Sequence, residues 1–256
     1  MRIGILFHSC VVFLVACVAA AFAAFLFYRW RRLDEAMRAY AWFWVFTFLV
    51  WIGITIRYFM IGMGWWDSNI NPNEFFVQSA VFFTGPPLFY YAGLRVFKDQ
   101  FIAGVLGAVS LILGFNALVF LMQPGGLLRL EIANFSADTV LNPTSQAIFS
   151  VQIIVLVLLF LYDIGFRLYA WYRGGDTTLF YNALHSLVLI FYVVLGGIDN
   201  SHIIQDWPLV VFRLVYAAAF LFAYIVINRE DVSKEEYLIH EDSTAHVEVP
   251  PPSLAI

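Results

Sequence analysis

Long apolar runs alternate with short polar links along most of the chain. Seven of these runs contain about 20 residues or more, which is the length of helix that a bilayer core requires. The runs span residues 3–28, 39–62, 75–97, 101–122, 146–168, 179–198 and 207–227. They are unbroken, whereas the strands of a membrane β-barrel alternate apolar and polar positions. The pattern predicts an all-α integral membrane protein with a bundle of seven transmembrane helices.

The composition agrees with this pattern. Of the 256 residues, 62% are hydrophobic and only 12% are charged, whereas about a quarter of the residues are charged in a soluble domain. The net charge of -4 with 14 Lys and Arg residues argues against a basic surface for nucleic acid. Both cysteines, Cys10 and Cys17, lie in the first apolar run, which excludes a disulfide framework. The partner that the composition predicts is the lipid bilayer.

The links between the runs differ in charge, and this difference predicts the orientation. Basic residues in short loops stay on the cytoplasmic side of a membrane. Ten of them fall on one side of the predicted bundle, and only Arg2 and Arg129 fall on the other. The ten are Arg29, Arg31, Arg32, Arg38, Arg95, Lys98, Arg167, Arg173, Arg229 and Lys234. We therefore expect the N-terminus outside, the C-terminus in the cytoplasm, and a location in the plasma membrane, which in a bacterium is the inner membrane.

Two segments lie outside the predicted membrane domain, which comprises residues 1–227. Residues 123–145 contain Pro and Gly breakers and predict a long outer loop with one turn of interfacial helix. Residues 228–256 are acidic and include three consecutive prolines. That composition predicts a disordered cytoplasmic tail.

Polar residues at membrane depth are costly and therefore mark candidate sites. The predicted helices place one group of them at a similar outer depth: Arg57, Gln78, Gln152, Asp199, His202 and Arg213. This layer is typical of a pocket that binds a small anionic or amphiphilic ligand from outside. In the alternative interpretation, each arginine pairs with an outer acid such as Asp199 or extends toward the headgroups.

A second polar layer is predicted near the cytoplasmic ends of the helices. Asp163 and Arg167 are an i,i+4 pair on the fifth run, and Asn182 and His185 lie near the inner end of the sixth. A histidine beside an aspartate can act as a proton-linked switch. Hydrogen bonds that hold helices together are the commoner role of such a group.

The sequence offers little support for catalysis. Histidines His8 and His202 are predicted at the outer side and His185 at the inner side, so they do not converge as the ligands of a catalytic zinc must. No Gly-x-Ser-x-Gly motif occurs, and both lysines, Lys98 and Lys234, lie outside the runs, where neither can hold retinal. We expect no catalytic residue, no metal and no cofactor.

The third run contains Gly85, Pro86 and Pro87 in its middle. Two consecutive prolines remove two backbone donors, so the helix must bend there. We expect Pro86 and Pro87 to form a hinge, with a fixed packing bend as the alternative.

The second and third runs also carry a resemblance. The stretch RAYAWFWVFTFLVWIGITIRYF from Arg38, followed by EFFVQSAVFFTGPPLFYYAGLRVF from Glu74, resembles helices two and three of the seven-helix N-terminal sensor region of bacterial histidine kinases and related signalling proteins. The matching features are the basic link, Trp51 with Gly53, and the proline pair. Such regions feed a cytoplasmic output domain, whereas 29 residues follow the seventh run here. The resemblance implies a stand-alone sensor that signals through a partner.

The sequence thus predicts a membrane sensory or receptor-like protein. It would bind a small ligand from the outer side and signal through a cytoplasmic protein. A non-catalytic structural or accessory subunit of a membrane complex is the main alternative. A transporter is less favoured because no inverted repeats or paired broken helices are visible.

Overall fold

The computed structural model describes residues 1–66, 72–124, 126–201 and 203–245. Within these residues the chain forms seven long helices, one short 3-10 turn and one two-stranded β-hairpin. The helices are α1 (Ile3–Tyr28), α2 (Glu35–Met63), α3 (Pro72–Phe97), α4 (Gln100–Met122), α5 (Pro143–Gly174), α6 (Thr177–Asn200) and α7 (Trp207–Ala245). The 3-10 turn is Trp30–Arg32, and the strands are β1 (Leu127–Ile132) and β2 (Ala137–Leu141).

Side-chain caps fix where several helices begin. Asp34 accepts a hydrogen bond from the backbone N–H of Met37 before α2, and Asp99 does the same for Ile102 before α4. Asn142 and Asp176 cap α5 and α6 in the same way. Each cap satisfies a backbone donor that the first helical turn leaves without a partner. The helices therefore extend a few residues beyond the apolar runs, as far as these polar residues.

Six of the helices in the described part of the chain are long and apolar enough to cross a membrane: α1, α2, α4, α5, α6 and the Trp207–Asn228 part of α7. The chain is therefore built as a multi-pass membrane protein. The remaining predicted run, the third, forms α3, which does not belong to that apolar set. Its polar residues, among them Asn73, Gln78 and Thr84, lower its hydropathy. Helix α3 nevertheless packs against α2, α4 and α5.

The helices form one bundle. Each helix packs against its neighbours in sequence, and α7 closes the bundle by packing against α1. Because most links are short, consecutive helices run in opposite directions. Aromatic side chains fill the centre: the Trp44 ring lies 4.4 Å from that of Phe22 and 4.7 Å from that of Phe220. These contacts join α1, α2 and α7.

The segment between α4 and α5 differs from the prediction. It forms an antiparallel hairpin, in which Glu131 pairs with Asp138 and Ile132 with Ala137, and the expected turn of interfacial helix was wrong. Residues 128–132 of β1 alternate apolar and polar side chains, and burial alternates along β2, where Ala137, Thr139 and Leu141 are buried. This alternation with period two is the strand signal. The end of the bundle that carries this hairpin is called the hairpin end below.

The segment after residue 227 also differs from the prediction. Helix α7 continues to Ala245, although the composition predicts a disordered tail over residues 228–256. Neither Gly nor Pro occurs between residues 228 and 245, so nothing in the local sequence stops the helix. Residues 246–256, which include the three prolines, lie outside the described residues.

Candidate functional site

A cavity of about 130 Å³ lies in the core of the bundle toward the hairpin end. Helices α2, α3, α5, α6 and α7 and strand β2 all contribute to its wall. Most of the wall is apolar, and the polar residues that line it are Arg57, Gln78, Thr84, Asp138, Thr139, Gln152, Asp199, Asn200 and Arg213, together with the hydroxyl-bearing Tyr192 and Tyr216. Five of the six residues predicted for ligand binding therefore meet at one cavity. The sixth, His202, lies outside the described residues.

Two ion-paired arginines lie at the hairpin end of this cavity. Asp138 Oδ1 is 2.8 Å from Nη2 of Arg57 and 3.1 Å from Nη2 of Arg213. Arg213 also contacts Asp199, at 3.3 Å between Nη2 and Oδ1. The two arginine side chains are only 5% and 2% exposed. Two carboxylates thus balance two guanidinium groups, in an arrangement that we call the charged bridge.

Several hydrogen bonds hold Asp138 and the hairpin in place. The Tyr58 hydroxyl donates to Asp138 Oδ2 at 2.9 Å. The backbone N–H of Phe135 donates to Asp206 at 2.6 Å, and the backbone N–H of Asp206 donates to Ser136 at 3.1 Å. These bonds tie the hairpin to the residues just before α7. Strand β2 is therefore held across the hairpin end of the cavity.

His8 of α1 extends this network. Its Nδ1 is hydrogen-bonded to the Phe135 carbonyl, and its Nε2 lies 3.4 Å from Nη1 of Arg213. A carbonyl only accepts hydrogen bonds and a guanidinium only donates them. The ring is therefore assigned as the neutral form with the proton on Nδ1. In that form, His8 links the hairpin to Arg213 without adding a charge.

The two predicted glutamines lie in the cavity wall, and both are buried. Gln152 of α5 contacts α4 through Ser110, whose hydroxyl donates to Gln152 Oε1 at 3.4 Å. A methyl group at Gly85 of α3 would lie 2.8 Å from the same Oε1. Helices α3, α4 and α5 therefore approach closely at this level, because residue 85 lacks a side chain.

Two aromatic residues of the cavity wall carry donors that have no hydrogen-bond partner among the described residues. The indole Nε1–H of Trp51 has none, although the residue is only 3% exposed. The hydroxyl of Tyr216, which is 2% exposed, likewise makes no hydrogen bond within the described ranges. The two rings pack edge to face, with centroids 4.7 Å apart. Buried donors are nearly always satisfied in folded proteins, so this pair marks a place for an acceptor.

The predicted hinge residues Pro86 and Pro87 lie inside α3, directly after Gly85. Prolines at these positions leave the carbonyls of Phe82 and Phe83 without their usual helical donors. The Phe82 backbone packs against α4 at Gly114, where a methyl group would lie 3.5 Å from the Phe82 carbonyl oxygen. The proline pair thus lies at the level of the cavity, whose lining on α3 extends from Val77 to Leu88, and about two turns before Arg95.

The second predicted layer forms a connected network at the end of the bundle opposite the hairpin, and we call it the opposite network. Asp163 Oδ1 accepts from Arg167 at 2.7 Å, and its Oδ2 accepts from the Ser186 hydroxyl at 2.6 Å. Arg95 of α3 lies 3.4 Å from Asp163 and donates to Asn182 Oδ1 at 2.9 Å. The sequence predicted Asp163, Asn182 and Arg167 for this layer, and the structure brings them together.

His185, the fourth predicted member, lies in the same network. Its Nδ1 is 3.1 Å from the Tyr91 hydroxyl and 3.3 Å from Nη1 of Arg95. The Tyr40 ring packs edge to face on the imidazole at 5.0 Å. The network therefore joins α2, α3, α5 and α6. Since His185 and Asp199 both lie on α6, their spacing puts this network about 20 Å from the charged bridge.

Two central residues were missed by the sequence analysis. Asp138 falls in the segment 123–145 that was predicted to be a loop, and Arg95 was used only as a basic residue that sets the orientation. The alternation of apolar and polar residues over 128–132 could have indicated a strand and hence a hairpin, although not the contacts of Asp138. For Arg95, its position one helical turn after Tyr91 was the available signal.

No group of three or more His, Cys, Asp or Glu side chains in the described ranges is arranged to hold a metal ion. Comparisons with known proteins find no matching family model and no curated protein with significant similarity. The geometry of the cavity, the charged bridge and the opposite network therefore supplies the grounds for a functional proposal.

Proposed function

We propose that this chain is a membrane sensory or receptor-like protein. It binds a small ligand in the cavity, and the bound state changes the arrangement of the helices at the opposite end, where a cytoplasmic signalling protein responds. The observation that carries this proposal is the cavity itself, because a bundle that serves only as scaffold has no need of a space lined by five helices and closed by a hairpin.

The proposal includes a membrane orientation. Helix α3 is 26 residues long and packs among the apolar helices. We therefore count it as a membrane span, which brings the total to seven. The distribution of basic residues then puts the N-terminus and the hairpin outside and α7 ends in the cytoplasm. In a bacterium this membrane is the inner membrane. The cavity accordingly faces the outer side, with β2 across its entrance.

Helix α3 offers a route from the cavity to the cytoplasmic side. It contributes Gln78 and Gly85 to the cavity wall and Arg95 to the network at the opposite end. Pro86 and Pro87 lie along α3 between Gln78 and Arg95, at the level of the cavity. A ligand that favours one bend of α3 would change the contacts of Arg95. This arrangement also suits the resemblance of α2 and α3 to the sensor regions of histidine kinases.

An accessory subunit of a membrane complex remains the second candidate. The observation in its favour is the charged bridge, in which Arg57 and Arg213 each contact a carboxylate of the same chain. Ion pairs of this kind hold helices together without any ligand. Under this candidate, the cavity would be a packing defect, and its occupation would leave the opposite end unchanged.

A cavity-filling variant separates the two candidates. Val193 of α6 lines the cavity and is 5% exposed, whereas the adjacent Val194 is 39% exposed. Val193→Trp should fill the cavity, and Val194→Trp adds the same bulk on the outer face of the bundle as a matched control. Ring-sized probes such as toluene, acetophenone and benzoate should raise the Tm of the wild type and of Val194→Trp in nanodiscs. They should not raise the Tm of Val193→Trp.

Signalling requires a second measurement. Spin labels at Phe97→Cys and Gly174→Cys, in a chain whose native cysteines are replaced by Ala, report the distance between the ends of α3 and α5. A sensor predicts that a bound probe shifts this distance in the wild-type background and in Val194→Trp. Binding without any shift would favour the accessory subunit, and absence of binding by every probe would contradict the proposed function.

A further inference from the structure

The size of the cavity limits its ligand. A volume of about 130 Å³ is close to that of engineered cavities that hold one benzene molecule. A ligand with a single ring, or an aliphatic molecule of similar size, therefore fits. Lipid-sized molecules and peptides are too large to enter.

The charges of the wall limit the ligand further. The sequence favours an anionic ligand because two arginines lie at one depth. In the structure, Asp138 and Asp199 balance Arg57 and Arg213 at distances of 2.8 to 3.3 Å. An anion would add an unbalanced charge to this buried group, and such a charge is costly at low dielectric. The balanced wall favours a molecule without a net charge.

The donors of the wall define the polar group of the ligand. The indole N–H of Trp51 and the hydroxyl of Tyr216 lie on adjacent rings and have no hydrogen-bond partner among the described residues. An indole N–H can only donate, so its partner must be an acceptor. A carbonyl oxygen has two lone pairs and can accept from both donors at once. Apolar residues such as Val50, Ile54 and Leu156 also line the cavity, and they suit a hydrocarbon body.

We infer that the cavity binds a small uncharged carbonyl compound, such as a ketone, an aldehyde or an ester with one ring. Its oxygen accepts hydrogen bonds from Trp51 and Tyr216, and its body packs in the apolar part of the cavity. This inference rests on the proposed function, for which it names the class of ligand. Because Trp51 belongs to α2 and Tyr216 to α7, the bound oxygen links these two helices.

Three probes of similar size test the inference on the purified full chain in nanodiscs, with empty nanodiscs subtracted. Toluene has no acceptor, acetophenone adds a carbonyl, and benzoate adds a charge. The concentration dependence of Tm gives an apparent Kd for each probe. We expect acetophenone to bind about 3- to 10-fold more tightly than toluene, as one neutral hydrogen bond would provide. Benzoate should bind more weakly than acetophenone.

Conservative variants assign the preference to the two donors. Trp51→Phe and Tyr216→Phe should each reduce the preference for acetophenone over toluene. Tyr216→Phe should leave toluene binding nearly unchanged, whereas Trp51→Phe also enlarges the cavity, so only the ratio of the two affinities is compared for that variant. The matched controls are Trp42→Phe on the same helix and Tyr172→Phe on α5, whose side chains are 47% and 85% exposed. Both controls should retain the wild-type preference. If Trp51→Phe does not fold, Tyr216→Phe and the wild-type comparison still decide the question.

The outcomes separate this inference from the proposed function. Equal affinity for toluene and acetophenone, or tightest binding of benzoate, overturns the carbonyl ligand but leaves a ligand-binding cavity. A preference that survives in the Trp51→Phe/Tyr216→Phe double variant overturns the assignment of the two donors. Failure of all three probes to bind the wild type overturns both the inference and the proposed function.

Discussion

The carboxylate of Asp138 lies 2.8 Å from the guanidinium of Arg57, although 81 residues separate them in the chain. The contact joins a hairpin strand to α2, and Arg213 contacts the same oxygen from α7. One hairpin side chain therefore connects α2 with α7 at the cavity. The stability of the hairpin end should depend on this carboxylate more than on any apolar contact of β2.

Replacing Asp138 tests this dependence. Asp138→Asn keeps the shape but leaves Arg57 and Arg213 with one carboxylate between them. Because Asp138 is 15% exposed, we expect a loss of about 2 to 4 kcal/mol, near the lower end for a broken buried ion pair. Thermal unfolding in detergent measures the loss. Arg57→Gln should cost less in the Asp138→Asn background than in the wild type. Equal costs in the two backgrounds would show that the pair is not coupled.

The opposite network predicts an order of effects. Asp163 is 2% exposed and contacts Arg95, Arg167 and Ser186, so Asp163→Asn should lower Tm most. Arg95→Gln should follow, since its side chain is 8% exposed, and Arg167→Gln should have the smallest effect because that side chain is 16% exposed. A buried group loses more when its partner is removed. A larger loss for Arg167→Gln than for Asp163→Asn would contradict the network.

The close packing of α3 on α4 can be tested with one methyl group. A Cβ added at Gly93 would lie 2.7 Å from the backbone Cα of Ala103, so Gly93→Ala must separate the helices and should cost about 1 to 3 kcal/mol. A Cβ added at Gly104 on α4 would meet no atom of another element within 4 Å. Gly104→Ala is the matched control, and its Tm should stay the same or rise slightly. A stable Gly93→Ala variant would show that the two helices can separate at no cost.

The proline pair predicts a change in response without a loss of fold. In the Pro86→Ala/Pro87→Ala variant, α3 regains its backbone donors and should straighten. The distance between labels at residues 97 and 174 should then no longer respond to acetophenone, while acetophenone still raises Tm. Pro208→Ala is the control, because Pro208 lies in the first turn of α7, where a helix needs no donor. If the distance between the labels still responds to acetophenone in the double variant, the prolines form only a fixed bend and not a hinge.

The proposed orientation predicts which sites a membrane-impermeant thiol reagent reaches. Asn134 at the hairpin tip and Gly174 at the end of α5 are both exposed. In intact cells that carry the chain without its native cysteines, Asn134→Cys should react at once. Gly174→Cys should react only after permeabilisation. The reverse pattern would invert the proposed topology.

The helices could be predicted from sequence because burial in a bilayer demands long apolar runs. Helix α1 begins and ends where its run does, at Ile3 and Tyr28. The limits of α2 and α5 were less predictable, since their ends are fixed by caps such as Asp34 and Asn142 rather than by hydropathy. Helix α3 shows the opposite difficulty, because its polar residues serve the interior of the bundle and lower its apolar character.

The candidate site was predicted only in part. Arg57 and Arg213 could be identified because charge within an apolar run is conspicuous. Asp138 could not, since an acid in a polar loop is ordinary and only the hairpin carries it to the cavity. Trp51 and Tyr216 were equally hidden, because an aromatic residue in a membrane helix gives no sign of whether its donor has a partner. Long-range pairing of this kind depends on tertiary structure, which periodicity does not record.

The position of Asp138 along the chain also orders the biogenesis of the protein. A ribosome completes α2 well before it reaches the hairpin, and it adds Arg213 75 residues after Asp138. Arg57 therefore enters the translocon before Asp138 has been synthesised. Until then, lipid headgroups or water must solvate the guanidinium. The hairpin end of the bundle is completed only when the last helix is inserted. Chains truncated before α7 should expose this charge to membrane quality-control proteases.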